Sequence, residues 1–199
     1  MAYQLQTGVA RRTISPPKGI YLIGYGDRSK GNQGVHDDLS ATAIVLDDGQ
    51  QRVALVACDL LAINEIIVAQ IQDKLDFPVL ICCSHTHSGP IAYAGKNSPK
   101  RNRKYIAFLV DQIIQAVKEA AASLQPAQLA LGSGEASIAV NRREHKFDGT
   151  IEIGVNPDGA VDRSLVLLQF QTPEGEPLAN FVNFACFTGP LLLCRHRPG

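Results

Sequence analysis

The sequence predicts an α/β domain in which a mixed β-sheet carries flanking helices. Three observations lead there: two apolar, β-rich runs split by "DDGQQ" within 42–61, apolar residues at helical spacing over 64–75, and a short apolar run at 77–85. Strand, helix, strand in that order implies a crossover whose two strands run parallel.

Each element has its own warrant. "TAIVLDDGQQRVALVACDLL" reads as a hairpin, because the turn cluster between its apolar halves contains a glycine that tolerates positive φ. In "NEIIVAQIQDKL", Ile67, Val68, Ile71 and Leu75 share one helical face, with Asn64 placed to cap the first turn. "FPVLICCSH" is apolar almost throughout, the pattern of a strand covered on both faces. A longer helix is expected over about 103–124, stopped by Gln125-Pro126. "AQLALGSGEA" and "SIAVNRRE" are strand-like, and a turn-rich insert, "KFDGTIEIGVNPDGAVD", follows them. "RSLVLLQFQT" and "LANFVNFACF" form a second hairpin around "PEGEP". The closing "TGPLLLCRHRPG" has neither period nor cap, and reads as a truncated or frame-altered tail over 188–199.

Composition narrows the function classes. With 199 residues, 45% hydrophobic and 19% charged, the chain can bury one sizeable core. Lysine plus arginine equals aspartate plus glutamate at 19 each, so nothing draws the chain toward nucleic acid. The basic run "KNSPKRNRK" reads as a solvated loop. No secretory leader and no integral membrane segment is legible. Five cysteines, an odd number with Cys82 and Cys83 adjacent, suit small buried thiols kept reduced; a cytoplasmic location is expected.

Chemistry concentrates in "LICCSHTHSGP". On an extended chain His85 and His87 lie on one face with Cα atoms roughly 6.5–7 Å apart, so both rings can address one point at a strand end. A metal site or a ligand with a proton-transfer partner competes with a hydrogen-bonded rim pair. Gly89, within Ser88-Gly89-Pro90, would let backbone amides approach a substrate. In "GNQGVHDDLS", His36 or its neighbours Asp37 and Asp38 either reach that cleft or cap a loop. Asp59, closing a buried strand, either orients a histidine or caps the next turn. In "VNRRE", Arg142 can bind a carbonyl or a developing oxyanion, or join a surface ion pair. His145 is expected to face solvent. "GYGDRSKG" spaces its glycines wrongly for a dinucleotide fingerprint.

Taken in order, "GVARRTISPP", "GYGDRSKGNQGVHDDLSATAIVLDDG", "VALVACDLL", "CSHTHSGP", "VNRRE", "DRSLVLLQF" and "NFACF" resemble the N-terminal part of the neutral/alkaline non-lysosomal ceramidase family. The resemblance makes 1–187 one ceramidase-like region. It implies zinc-dependent hydrolysis of N-acyl amide bonds, with a small-molecule or lipid acyl-amide as substrate. His85 then matches the first zinc ligand, His87 the second histidine of the motif beside the scissile amide, and Arg142 the arginine of an "NR" pair. Two departures stand against this. Phe187 occupies the place of a second histidine ligand, and the family's glutamate and tyrosine ligands fall beyond residue 199. His196 has no context that marks it as a substitute. The expectation is therefore a hydrolase whose zinc site is incomplete in this chain. Two alternatives stay open: a non-catalytic lipid-binding or assembly module, and a metal hydrolase built from His36, His85, His87 and Asp59. An uncovered apolar face would favour a homo-oligomer.

Overall fold

The computed structural model describes residues 4–26, 28–90, 92–94 and 100–186, without the side chains of 100 and 101. Phe187, His196 and the tail 188–199 lie outside the described residues.

The main sheet has five strands in the order β4-β3-β2-β1-β5. β1 (Gln6–Thr13), which the sequence reading passed over, pairs antiparallel with β2 (Ser40–Asp47), and β2 with β3 (Arg52–Cys58). The β2–β3 hairpin turns where expected, and Gly49 there adopts φ 85°. α1 (Glu65–Gln72) then carries the chain to β4 (Val79–Cys83), which lies parallel to β3 as the crossover argument requires. α2 (Lys100–Ala122) precedes the two-residue β5 (Gln125–Pro126).

Alternation decides which face is covered. Ala43 and Val45 of β2 and Ala54, Val56 and Cys58 of β3 point into one cluster with Ile67 and Ile71 of α1 and Leu109, Ile113 and Val117 of α2. Each fully buried Val, Leu or Ile side chain there contributes about 1.5–3 kcal/mol. The opposite face is covered only in part: Ile44 of β2 is buried there, while β4 is left exposed. Leu80 is 57% exposed and Cys82 is exposed, so β4 is an edge strand covered on one face, contrary to the expectation of two. Apolar composition alone cannot separate those cases, because an uncovered face has no chemical marker in the sequence.

A second sheet, β10-β9-β6, contains β6 (Gln128–Glu135) and the predicted hairpin of β9 (Ser164–Gln171) and β10 (Pro177–Phe184). Phe170 is its fully buried anchor. β7 (Asn141–His145) and β8 (Ile151–Asn156) pair with each other as a two-stranded ribbon. Two expectations are corrected here. "SIAV" is not strand, and the turn-rich insert contains β8. Asn64 sits at the α1 N-cap position but makes no capping bond; its amide instead bridges Ala94, Nδ2 to the carbonyl at 2.8 Å and Oδ1 from the amide at 3.2 Å.

A candidate active site at the rim of the main sheet

The rim forms where β3 and β4 end and β2 begins. Asp59 joins the three: its Oδ2 accepts from the Ser40 amide (3.0 Å) and the Ser40 hydroxyl (2.8 Å), and its Oδ1 from the Ser84 hydroxyl (3.3 Å). Neither expected role is the one seen. The carboxylate staples strand ends together, and through Ser84 it sets the start of the histidine loop.

β4 ends at Cys83, so the extended geometry invoked to bring His85 and His87 together does not persist. The rings nevertheless meet, with centroids 5.2 Å apart and planes at 69°. What brings them there is His85 itself, whose φ of 56° lies in the left-handed region. That conformation is uncommon for a side chain other than glycine, although histidine is enriched in it, and it concentrates at functional sites. His85 Nδ1 donates to the Leu61 carbonyl at 3.0 Å. A carbonyl only accepts, so the neutral ring carries its proton on Nδ1 and its lone pair on Nε2, the orientation typical of a ligating imidazole.

His87 is seated by the "GYGDRSKG" segment, whose residues carry part of the family resemblance but are not among the site candidates. Its ring lies against Gly24, where an added Cβ would come within 2.5 Å of the imidazole Cγ, and Gly24 has φ 111°. Tyr25 meets the ring edge-on at 5.3 Å. Arg28 stacks over Tyr25 at 4.9 Å and donates to the carbonyls of His87 (3.0 Å) and Ile23 (3.5 Å). The visible signal was two glycines flanking a tyrosine just before an arginine. Gly89 packs closely within the fold. Its φ is not positive, and it packs where a Cβ would touch the Asp59 carbonyl at 3.3 Å, while its own carbonyl accepts from the Ile23 amide.

The loop over 84–90 separates two clefts. On one side, a groove of about 540 Å³ has Asp59, Ser84 and His85 on one wall and residues 180–186, the second half of β10 and the two residues after it, on the other. "CSHTHSGP" and "NFAC" are thus brought together, although nearly a hundred residues separate them in the chain. Burial pushes the Cys83 thiol up to about 11 and raises that of Cys58 further. On the other side, a cleft of about 500 Å³ is lined by Thr86, Ser88, Ser15 and His36. His36 is almost fully exposed and pairs with Asp37 at 2.7 Å, a hydrogen bond that lifts its pKa above the ordinary value. Arg142 lies on the β7–β8 ribbon, its Nε bonded to the Gly154 carbonyl at 3.0 Å. Glu144 pairs with Lys146 rather than with an arginine, and His145 is exposed, as expected.

His85 fits a zinc ligand by donor chemistry and tautomer. A complete site does not follow: among the described residues, no three His, Cys, Asp or Glu side chains are gathered to hold a metal. The combination of His36, His85, His87 and Asp59 is not assembled as one cluster. His36 faces the second cleft, and Asp59 is bonded to serines.

Known proteins resemble this chain in sequence and in fold. The sequence model described as "neutral/alkaline non-lysosomal ceramidase, N-terminal" matches residues 3–191. Neutral ceramidase A of Dictyostelium discoideum is 27% identical over 89% of this chain and 27% of its own length. The neutral ceramidase of Mycobacterium tuberculosis is 29% identical over 64% of this chain and 23% of its own. The chain therefore spans about a quarter of the length of these curated relatives. The crystal structure of neutral ceramidase from Pseudomonas aeruginosa superposes with a TM-score of 0.74 at 23% identity, covering 90% of this chain and 31% of that one, a likeness of fold.

Proposed function

The chain belongs to the neutral/alkaline non-lysosomal ceramidase family, and from that premise we propose that it supplies part of the catalytic region of a zinc-dependent hydrolase of N-acyl amide bonds. The observation that carries this reading is the pair of converging imidazoles, one of them, His85, turned through a left-handed backbone and lining the groove shared with residues 180–186. The substrate class is a lipid or small acyl-amide, which places the protein in sphingolipid or related lipid metabolism. A cytoplasmic location belongs to the same proposal, supported by the free thiols of Cys58, Cys82 and Cys83.

In this reading His85 is the one described residue that would hold zinc, and the other ligands come from outside the described residues. His87, 5.2 Å from it, hands a proton to the departing amine. Arg142 binds the carbonyl oxygen as negative charge develops there. Ser84 and Asp59 keep the loop in place.

Two measurements test it. Elemental analysis after dialysis should find sub-stoichiometric zinc on this chain, lost in His85→Ala; tight one-to-one binding would contradict the incompleteness. Hydrolysis of a fluorogenic N-acyl amide by a protein containing this region with its full ligand set should fall about 10²–10⁴-fold in His87→Ala, the range for a lost acid–base group. A second reading, a binding or assembly module, draws on exposed apolar side chains such as Leu131 (73%) and Ile153 (85%). Zinc-independent association without hydrolysis would favour it.

A further inference from the structure

We propose that Tyr25 and Arg28 are positioning residues that hold the His87 ring at its working angle, and that they latch the 22–28 segment onto the histidine loop. The proposal rests on the reading of His87 as the proton-transfer group. Its physical need is plain from the backbone. The loop after Cys83 has left the sheet, so no ladder of hydrogen bonds fixes residues 85–88, and a proton-transfer ring must be held to within a few tenths of an ångström.

The latch has three parts. Its frame is backbone: Leu22 bridges Pro90, and the Ile23 amide donates to the Gly89 carbonyl at 3.0 Å. Its bolt is Arg28, whose Nη1 donates to the carbonyls of both Ile23 and His87, one on each side of the seam. Its pad is Tyr25, held between the guanidinium at 4.9 Å and the His87 ring at 5.3 Å. Gly24 completes the seat by offering no side chain where the imidazole lies. Arginine suits the bolt because its planar fork can stack on a ring and donate to carbonyls at once; a lysine ammonium offers a point charge without the plane. The orientation of His87 is thus set from outside its own loop.

The test is carbethoxylation of the whole chain with diethyl pyrocarbonate at one pH, read residue by residue by mass spectrometry, with melting curves alongside. His36 and His145, both exposed, serve as internal references. In the unaltered chain His87 should react more slowly than either. In Arg28→Gln and in Tyr25→Leu the His87 rate should rise roughly tenfold or more, the weight of one charge-assisted hydrogen bond in a local opening equilibrium, with the references unchanged. Tyr25→Phe keeps the ring and should retain the slow rate. Nuclear Overhauser contacts between the Tyr25 and His87 rings should be present in the unaltered chain and lost in Arg28→Gln. A His87 rate equal to that of His36 in the unaltered chain would overturn the proposal. So would an unchanged His87 rate in folded Arg28→Gln, or a rise shared by every histidine, which would mark a general loosening. None of these readouts needs zinc or hydrolysis, so failure of the amidase reading is separately visible.

Discussion

Replacing Asp59 tests whether strand ends or histidines are what that carboxylate serves. Two of its hydrogen bonds, from the Ser40 amide at 3.0 Å and hydroxyl at 2.8 Å, have good lengths; the third, from Ser84 at 3.3 Å, is long for a hydroxyl donor. Hydrogen bonds to a charged group contribute about 1.5–3 kcal/mol each, less where water can substitute, and Asp59 is only half-buried. Counting the two good bonds at the low end gives about 3 kcal/mol for Asp59→Ala. Asp59→Asn keeps one acceptor and should cost about half as much. For a domain of this size 3 kcal/mol corresponds to a fall in Tm of roughly 6–12 °C, or to a urea midpoint about 1.5 M lower if the slope is about 2 kcal/mol per M. The partner variant Ser40→Ala removes the hydroxyl bond alone, so the double variant with Asp59→Ala should be less than additive. Chemical denaturation of the three variants measures all of this. A loss under about 0.5 kcal/mol in Asp59→Ala, or full additivity with Ser40→Ala, would refute the staple.

Gly24→Ala should cost about 2–4 kcal/mol in urea denaturation, because a methyl group must be placed at φ 111° and against the His87 ring at once. Phe170→Ala, at the fully buried centre of the second sheet, should lose about 3–5 kcal/mol by the same measurement. Nuclear magnetic resonance titration should find the His36 midpoint above its ordinary value and lower in Asp37→Asn, since the Asp37 hydrogen bond and charge raise it. By linkage, whatever that pair adds to stability is complete below the unfolded-state pKa and fades as pH rises through the folded one. Iodoacetamide at pH 8, followed by mass spectrometry, should label exposed Cys82 well before Cys83, whose thiol is pushed up to about 11, and Cys58 last.

The elements legible in the sequence were those with a periodic or turn signature. The β2–β3 and β9–β10 hairpins and both helices announce themselves through apolar spacing and glycine-bearing turns, and the parallel β3–β4 pair follows from the helix between them. β1 was missed because "QTGVARRT" alternates weakly and carries two adjacent arginines. β8 was missed because "IEIGVN" sits among turn residues and, among the described residues, pairs with β7 alone. At the site, the histidines themselves were visible and their surroundings were not. A staple such as Asp59–Ser40–Ser84 joins residues distant in sequence, and only the paired strands bring them together.

At His85 the two rings meet through a geometry other than the extended one the sequence suggests. Strand alternation would also have placed the two rings on one side, with their Cα atoms roughly 6.5–7 Å apart. The observed approach, centroids 5.2 Å apart, is made with the first histidine in the left-handed region, a conformation that has a cost for any residue with a Cβ. That cost is sustained by neighbours on three sides. The Leu61 carbonyl takes the His85 proton, Ser84 is tied to Asp59 and to the Cys58 carbonyl, and Gly89 is wedged against the backbone at Asp59 and Leu60. A structural loop has no need of such over-determination, whereas a pair of imidazoles that must address one reacting group from two directions does. The strain at His85 therefore argues for function more strongly than the bare His-x-His spacing.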